Sequence, residues 1–154
     1  MRILGLTTMG GSAASIVIDG VVKVAIEEER ITRLKNDGGF PYESIQYCLS
    51  AVNLNIQDID KIAVYWQPWR VYGRMSKMLL GVVTDPKNLI NNFSRGIEAI
   101  SGSSNESLRR YPELRGSWLE LFFVKRLIRN KFGNVSASVS YFDHHDCHAS
   151  SIYH

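Results

Sequence analysis

Thiols are scarce: Cys48 and Cys147 are the only two cysteines of the chain. So few cannot staple a small secreted domain, and the scarcity predicts a reducing, intracellular setting. Long apolar runs are lacking as well. The cleanest run near the middle covers 78–83, far short of the roughly 20 residues that cross a bilayer. No basic stretch followed by an apolar one opens the chain, so nothing at its start reads as a signal peptide. Blocks of like charge are missing too. The 18 Lys and Arg stand against 15 Asp and Glu, for a net charge of +3, and the basic residues are scattered. Such scatter describes solvated helix faces, so nucleic acid is not an expected partner. Together these absences predict a cytoplasmic, soluble protein with no membrane association.

What is present is an ordinary core-forming composition, 45% hydrophobic over 154 residues, enough for one domain or one lobe of a larger one. Residues 2–8 lean towards strand and run into the glycine turn Met9-Gly10-Gly11-Ser12. A second strand is predicted over 13–18. Asp19-Gly20 then supplies the positive-φ residues of a tight hairpin, and a third strand follows over 21–26. The stretch 27–40 is charged and broken by Gly38-Gly39. Pro41 suits the first turn of a helix that carries Ile45, Cys48, Leu49 and Val52 at helical spacing.

Residues 61–66 alternate and stop before Pro68, a fourth strand. The looser stretch 67–117, rich in Gly, Ser and Asn between Ser101 and Ser107, predicts a helical insertion with a mobile loop. One amphipathic helix is predicted over 118–131, with Leu119, Phe122, Phe123, Leu127 and Ile128 on its core side. A fifth strand over 135–142 leads to Asp143, which sits where a helix N-cap belongs. No helix-ending Gly, Asn or Pro follows, so the sequence is expected to stop inside an element of a longer protein. The order βββαβαβα predicts an α/β fold, a mixed sheet that opens with a three-stranded antiparallel meander and has helices on both faces. This is the order of a ribonuclease H-like lobe, of the kind that pairs across a cleft in actin-like ATPases.

Three groups of residues could carry chemistry. His144, His145 and His148 crowd into one short segment. In a helix starting at Asp143, His144 and His148 share a face one turn apart, a usual way for two imidazoles to grip a metal. His145 lies about 100° round the helix, where it meets either substrate or packing. A cluster that only caps and packs a helix end is the bland alternative, and Cys147 reads as a small packing residue. Two ligands do not close a catalytic site, and no third is evident in the sequence. The second group is the charged loop from Glu29 to Asp37, in which Arg33 and Lys35 could hold phosphate or another anion. A solvated connection is the alternative there. The third is the glycine turn, where Gly10, Gly11 and Ser12 could offer backbone N–H groups to an anion.

These pieces, in this order, resemble the nodulation- and cephamycin-type O-carbamoyltransferases. The matching residues are Ile3-Leu4-Gly5, Ser12-Ala13-Ala14 and Asp19-Gly20; Glu28-Glu29-Arg30 with Arg33, Lys35, Asp37, Phe40-Pro41 and Tyr47-Cys48-Leu49; and His144-His145 with His148-Ala149. The resemblance covers both ends and thins between 67 and 135. It implies the first lobe of an actin-like domain that moves a carbamoyl group onto a hydroxyl of a small molecule. Carried over residue by residue, His144 and His148 match the family's ligands for a divalent metal, expected to be Fe²⁺, and Lys35 matches its cleft lysine. ATP and carbamoyl phosphate would be substrates of the full-length enzyme, and its further partners would be a carboxy-terminal lobe and an adenylate-forming domain. One departure stands out. The family carries a His-Asp pair just before Ser-Ala-Ala, and here those positions are Gly10 and Gly11. The lost pair could have acted as base or orienting group for the acceptor hydroxyl, a task that would pass to His145. The alternatives are a non-enzymatic metal- or partner-binding lobe and a related tRNA-modifying or ATPase metalloprotein.

Overall fold

The computed structural model describes residues 1–8, 11–69 and 118–150. Gly10 and nearly all of the expected insertion over 67–117 lie outside the described residues. Within them is a mixed five-stranded sheet of β1 (Arg2–Thr7), β2 (Ala13–Ile18), β3 (Val21–Glu27), β4 (Lys61–Val64) and β5 (Ser138–Tyr141), in the order β3-β2-β1-β4-β5. The first three strands form the expected antiparallel meander, while β4 and β5 run parallel to β1. Asp19 and Gly20 both take positive φ, 50° and 83°, as a tight hairpin of this hand requires. The two parallel additions are shorter than the alternation predicted: β4 ends at Val64, and β5 begins only at Ser138, with one further ladder bond past each, from Tyr65 and Phe142. Among the described residues four α-helices accompany the sheet: α1 (Glu28–Thr32), α2 (Tyr42–Ala51), α3 (Val124–Phe132) and α4 (His144–Ser150).

Strand alternation splits the sheet into two unlike faces. On one, Leu4 lies between Ile16 and Ile62, and Leu6 between Ala14 and Val64, all buried. Ile45, Cys48 and Leu49 of α2 and Val124 and Ile128 of α3 complete that core. On the other face, Ala25, Ser15, Gly5, Ala63 and Ser140 stand side by side, one from each strand. The small side chains of the first four of these line a groove of about 360 Å³ that Tyr65, Phe142 and Cys147 also border. A Cβ on Gly5 would lie 2.6 Å from the Ser15 hydroxyl, so the glycine sets how closely β1 and β2 can pack there.

Two expectations need correction. Residues 118–131 are not one α-helix: a 3₁₀ segment, Trp118–Phe123, precedes α3. A 3₁₀ turn advances about 120° per residue against about 100° in an α-helix. Over the segment this rotates the apolar stripe by roughly a third of a turn. Ile128 is buried as expected, but Leu121 and Val124 join it, whereas Phe122 and Phe123, expected on the core side, are 37% and 53% exposed. The charged stretch after β3 is not all loop either, since α1 occupies its start.

Candidate functional site

Because β1, β4 and β5 are parallel, their carboxy-terminal ends share one edge of the sheet, the edge at which ligands bind in open α/β sheets. Both halves of the candidate site stand there.

The first half is α4. The Asp143 carboxylate accepts the backbone N–H of His145 at 2.8 Å, the N-cap bond the sequence promised. The cap fixes the helix start, and with it the one-turn spacing of His144 and His148. Their rings lie nearly perpendicular with centroids 4.4 Å apart, and their Nε2 atoms approach to 3.0 Å. Two imidazole nitrogens this close could both turn to one divalent ion, for which imidazole is a common ligand, though here they meet each other in a hydrogen bond. Among the described residues no third His, Cys, Asp or Glu joins them. Burial first, and then Asp146 and Asp143, push the neighbouring Cys147 thiol up. His145 is exposed beside the pair, its ring 5.6 Å from that of His144.

The second half is the glycine turn and the charged loop, and the structure ties them together. The Ser12 N–H donates to the Asp37 carbonyl at 2.9 Å, the Ser12 hydroxyl donates to the Gly39 carbonyl, and the Glu28 N–H donates to the Ser12 carbonyl at 2.8 Å. Asp37 is buried and holds its own loop, accepting from the Thr32 hydroxyl at 3.2 Å and the Gly39 N–H at 3.0 Å. Ser12 thus places both of its donors inside the loop, where it straps the turn. Gly11 keeps a φ of 131°, which favours glycine, and open space where a side chain would stand. Arg33, at φ 60°, and Lys35 are exposed on the loop with no carboxylate partner among the described residues. Both can turn to a ligand.

Tyr65, which the sequence reading did not single out, connects the halves. It stands one residue past β4, donates its hydroxyl to the Thr8 carbonyl at the mouth of the glycine turn, and sets its ring 5.4 Å from that of His144 at 72°. Its carbonyl lies 4.0 Å from the Cys147 sulfur. Beside it, the Thr8 hydroxyl is buried with no hydrogen-bond partner among the described residues. The only sequence signal for Tyr65 was its place at the end of an alternating run.

With this geometry the sequence comparisons can be weighed. The model of the family described as Carbamoyltransferase N-terminus matches residues 2–154. The chain belongs to the carbamoyltransferase N-terminal family. Among its relatives, Uncharacterized protein sll1178 of Synechocystis sp. is 28% identical over 161 residues, covering 99% of this chain and 23% of the relative. Nodulation protein NolNO of Sinorhizobium fredii is 48% identical over 59 residues, 38% of this chain and 9% of that protein. The Uncharacterized 19.2 kDa protein in syrM 5'region of Rhizobium etli is 47% identical over 57 residues, 37% of this chain and 33% of the relative. The chain therefore spans about a quarter of the length of the Synechocystis relative. No helix among the described residues is long and apolar enough to cross a membrane.

Proposed function

We propose that this chain is the metal-holding amino-terminal part of an O-carbamoyltransferase. On this reading the whole protein passes a carbamoyl group, activated as carbamoyl-adenylate from carbamoyl phosphate and ATP, to a hydroxyl of a small molecule. The observation that carries the reading is the His144–His148 pair, Nε2 atoms 3.0 Å apart, at the ligand edge of a chain that matches the family model from 2 to 154. The lobe is read as ribonuclease H-like on its βββαβαβα order and on the strand order β3-β2-β1-β4-β5.

His144 and His148 would hold a divalent ion, expected to be Fe²⁺, which when bound supplies Lewis acidity towards an oxygen of donor or acceptor. The other roles fall to the chain's own groups. Lys35 and Arg33, exposed on a loop strapped to the turn, can swing towards the departing phosphate and offset its charge. Gly11 allows backbone to approach that anion closely. His145, exposed next to the pair, is placed to take the proton of the acceptor hydroxyl in the absence of the family's His-Asp. Further domains would supply the second wall and the adenylate. Gly10-Gly11 favours one second reading, a lobe that binds metal or a partner without catalysis.

The test is titration of the intact protein with Fe²⁺ or Co²⁺, followed by assay with carbamoyl phosphate, ATP and a sugar alcohol. His148→Ala should weaken ion binding by about tenfold or more and abolish transfer. Equal ion binding by both proteins would remove the histidines from the site. Ion binding without any transfer would favour the second reading.

A further inference from the structure

Neither half of the site can hold its own geometry unaided. His144 is on the first turn of a short helix whose described residues are all at least partly exposed, so packing on α4 itself does not choose its ring orientation. In the glycine turn the Ser12 bonds hold the far end, and the near end at Thr8 is held by a different contact. Tyr65 addresses both. Its backbone N–H extends the β1–β4 ladder, donating to the Leu6 carbonyl at 3.3 Å, so its Cα is fixed by the sheet. Its ring then stands edge-on to His144 at 5.4 Å, while its hydroxyl reaches the Thr8 carbonyl across 57 residues of sequence.

We propose that Tyr65 is the positioning residue of the site: its ring sets the rotamer of His144, and its hydroxyl ties that imidazole to the mouth of the glycine turn. The inference rests on the metal-holding reading above. An imidazole ligand needs a wall that fixes its orientation, and the groups that orient ligands change metal affinity by roughly 10- to 100-fold when removed. A bulky aromatic ring supplies such a wall through contact and edge-to-face packing. The hydroxyl adds register between the two halves, because the turn cannot shift at Thr8 without breaking a half-buried hydrogen bond.

The two contributions separate by substitution. In the intact protein, Tyr65→Phe keeps the ring and should bind Co²⁺ within about twofold of wild type. Tyr65→Leu removes the wall and should bind about tenfold more weakly, with an altered Co²⁺ visible spectrum. Rescue by Phe marks a ring effect on the ligand and not a general loss of fold, which circular dichroism of the three proteins would check. Should Tyr65→Leu fail to fold, the histidine ring signals of the metal-free wild type and Tyr65→Phe proteins decide, because an aromatic edge near His144 must displace its resonances from those of exposed His145. Equal Co²⁺ affinity and spectra for wild type and a folded Tyr65→Leu would overturn the proposal, as would His144 signals that match His145. If instead His148→Ala binds Co²⁺ as wild type does, the metal-holding reading itself fails. Tyr65 would then be judged on the His144 resonance alone, which Tyr65→Leu must move in the metal-free protein.

Discussion

Glu28 follows β3 directly, is 4% exposed, and receives the backbone N–H groups of Glu43 at 3.1 Å and Ser44 at 2.7 Å. Those amides belong to the first turn of α2, whose own N-cap, Pro41, offers no side-chain acceptor. A buried carboxylate thus caps a helix from another element, and it also faces the positive end of the helix dipole. Glu28 lies in the stretch that carries the family resemblance, but its contacts are structural. Glu28→Gln puts an N–H against an N–H and should lower stability by about 1–3 kcal/mol in urea unfolding. Glu27→Gln, on an exposed neighbour, should stay within about 0.5 kcal/mol of wild type. Cys48 makes a second residue-scale prediction. It is fully buried, its thiol donates towards the Ala14 carbonyl at 3.4 Å, and burial raises its pKa from 9.0 to about 11. Between those values the unfolded chain releases the proton and the folded chain keeps it. Stability is therefore unaffected below the lower value and falls as pH rises from 9 towards 11. Unfolding measured at pH 8 and pH 10.5 should show a smaller loss in Cys48→Ala than in wild type, whatever the absolute stabilities. An equal loss would place the titration at other groups, the buried Tyr65 and Tyr141 hydroxyls among them.

At the scale of elements, what the sequence disclosed was what local chemistry decides. Asp19-Gly20 closes its hairpin through positive φ, and Asp143 starts α4 by capping it, so the meander and the one-turn spacing of His144 and His148 were both readable in advance. Tertiary choices were not. Nothing local tells Ser12 that its hydroxyl will go to the Gly39 carbonyl, or Tyr65 that its own will reach Thr8. Those partners are 27 and 57 residues away. The 3₁₀ segment before α3 shows how a periodic pattern misleads: the apolar residues were counted correctly, but a tighter turn moved which of them face the sheet. The consequence is measurable. Leu121→Ala, which empties a fully buried position, should cost about 2–5 kcal/mol. Phe123→Ser, at a position 53% exposed, should cost well under that, about 1 kcal/mol or less. A continuous α-helix over 118–131 would reverse the order.

On the scale of the whole molecule, the site has one wall. The described residues bring two imidazoles, an exposed histidine and two exposed cations to a single edge of the sheet, and no third ligand joins the imidazoles there. Acyl-group transfer needs donor, acceptor and charge-stabilising groups held together to within a fraction of an ångström. An ion bound by two imidazoles alone is held weakly and leaves most of its coordination to water. The face opposite the core adds a physical cost, since its small-residue groove offers apolar surface to whatever meets it. On the proposed reading, the 154-residue chain produced by itself should therefore bind Co²⁺ more weakly than the intact protein. It should also transfer no carbamoyl group from carbamoyl phosphate and ATP to a sugar alcohol, and associate as its concentration rises. Light scattering reads the association and a colorimetric assay for the carbamoylated product reads the transfer. Turnover by a monodisperse monomer of 154 residues would mean that one wall suffices, and that the groups needed for catalysis, the missing ligand included, all lie within this sequence.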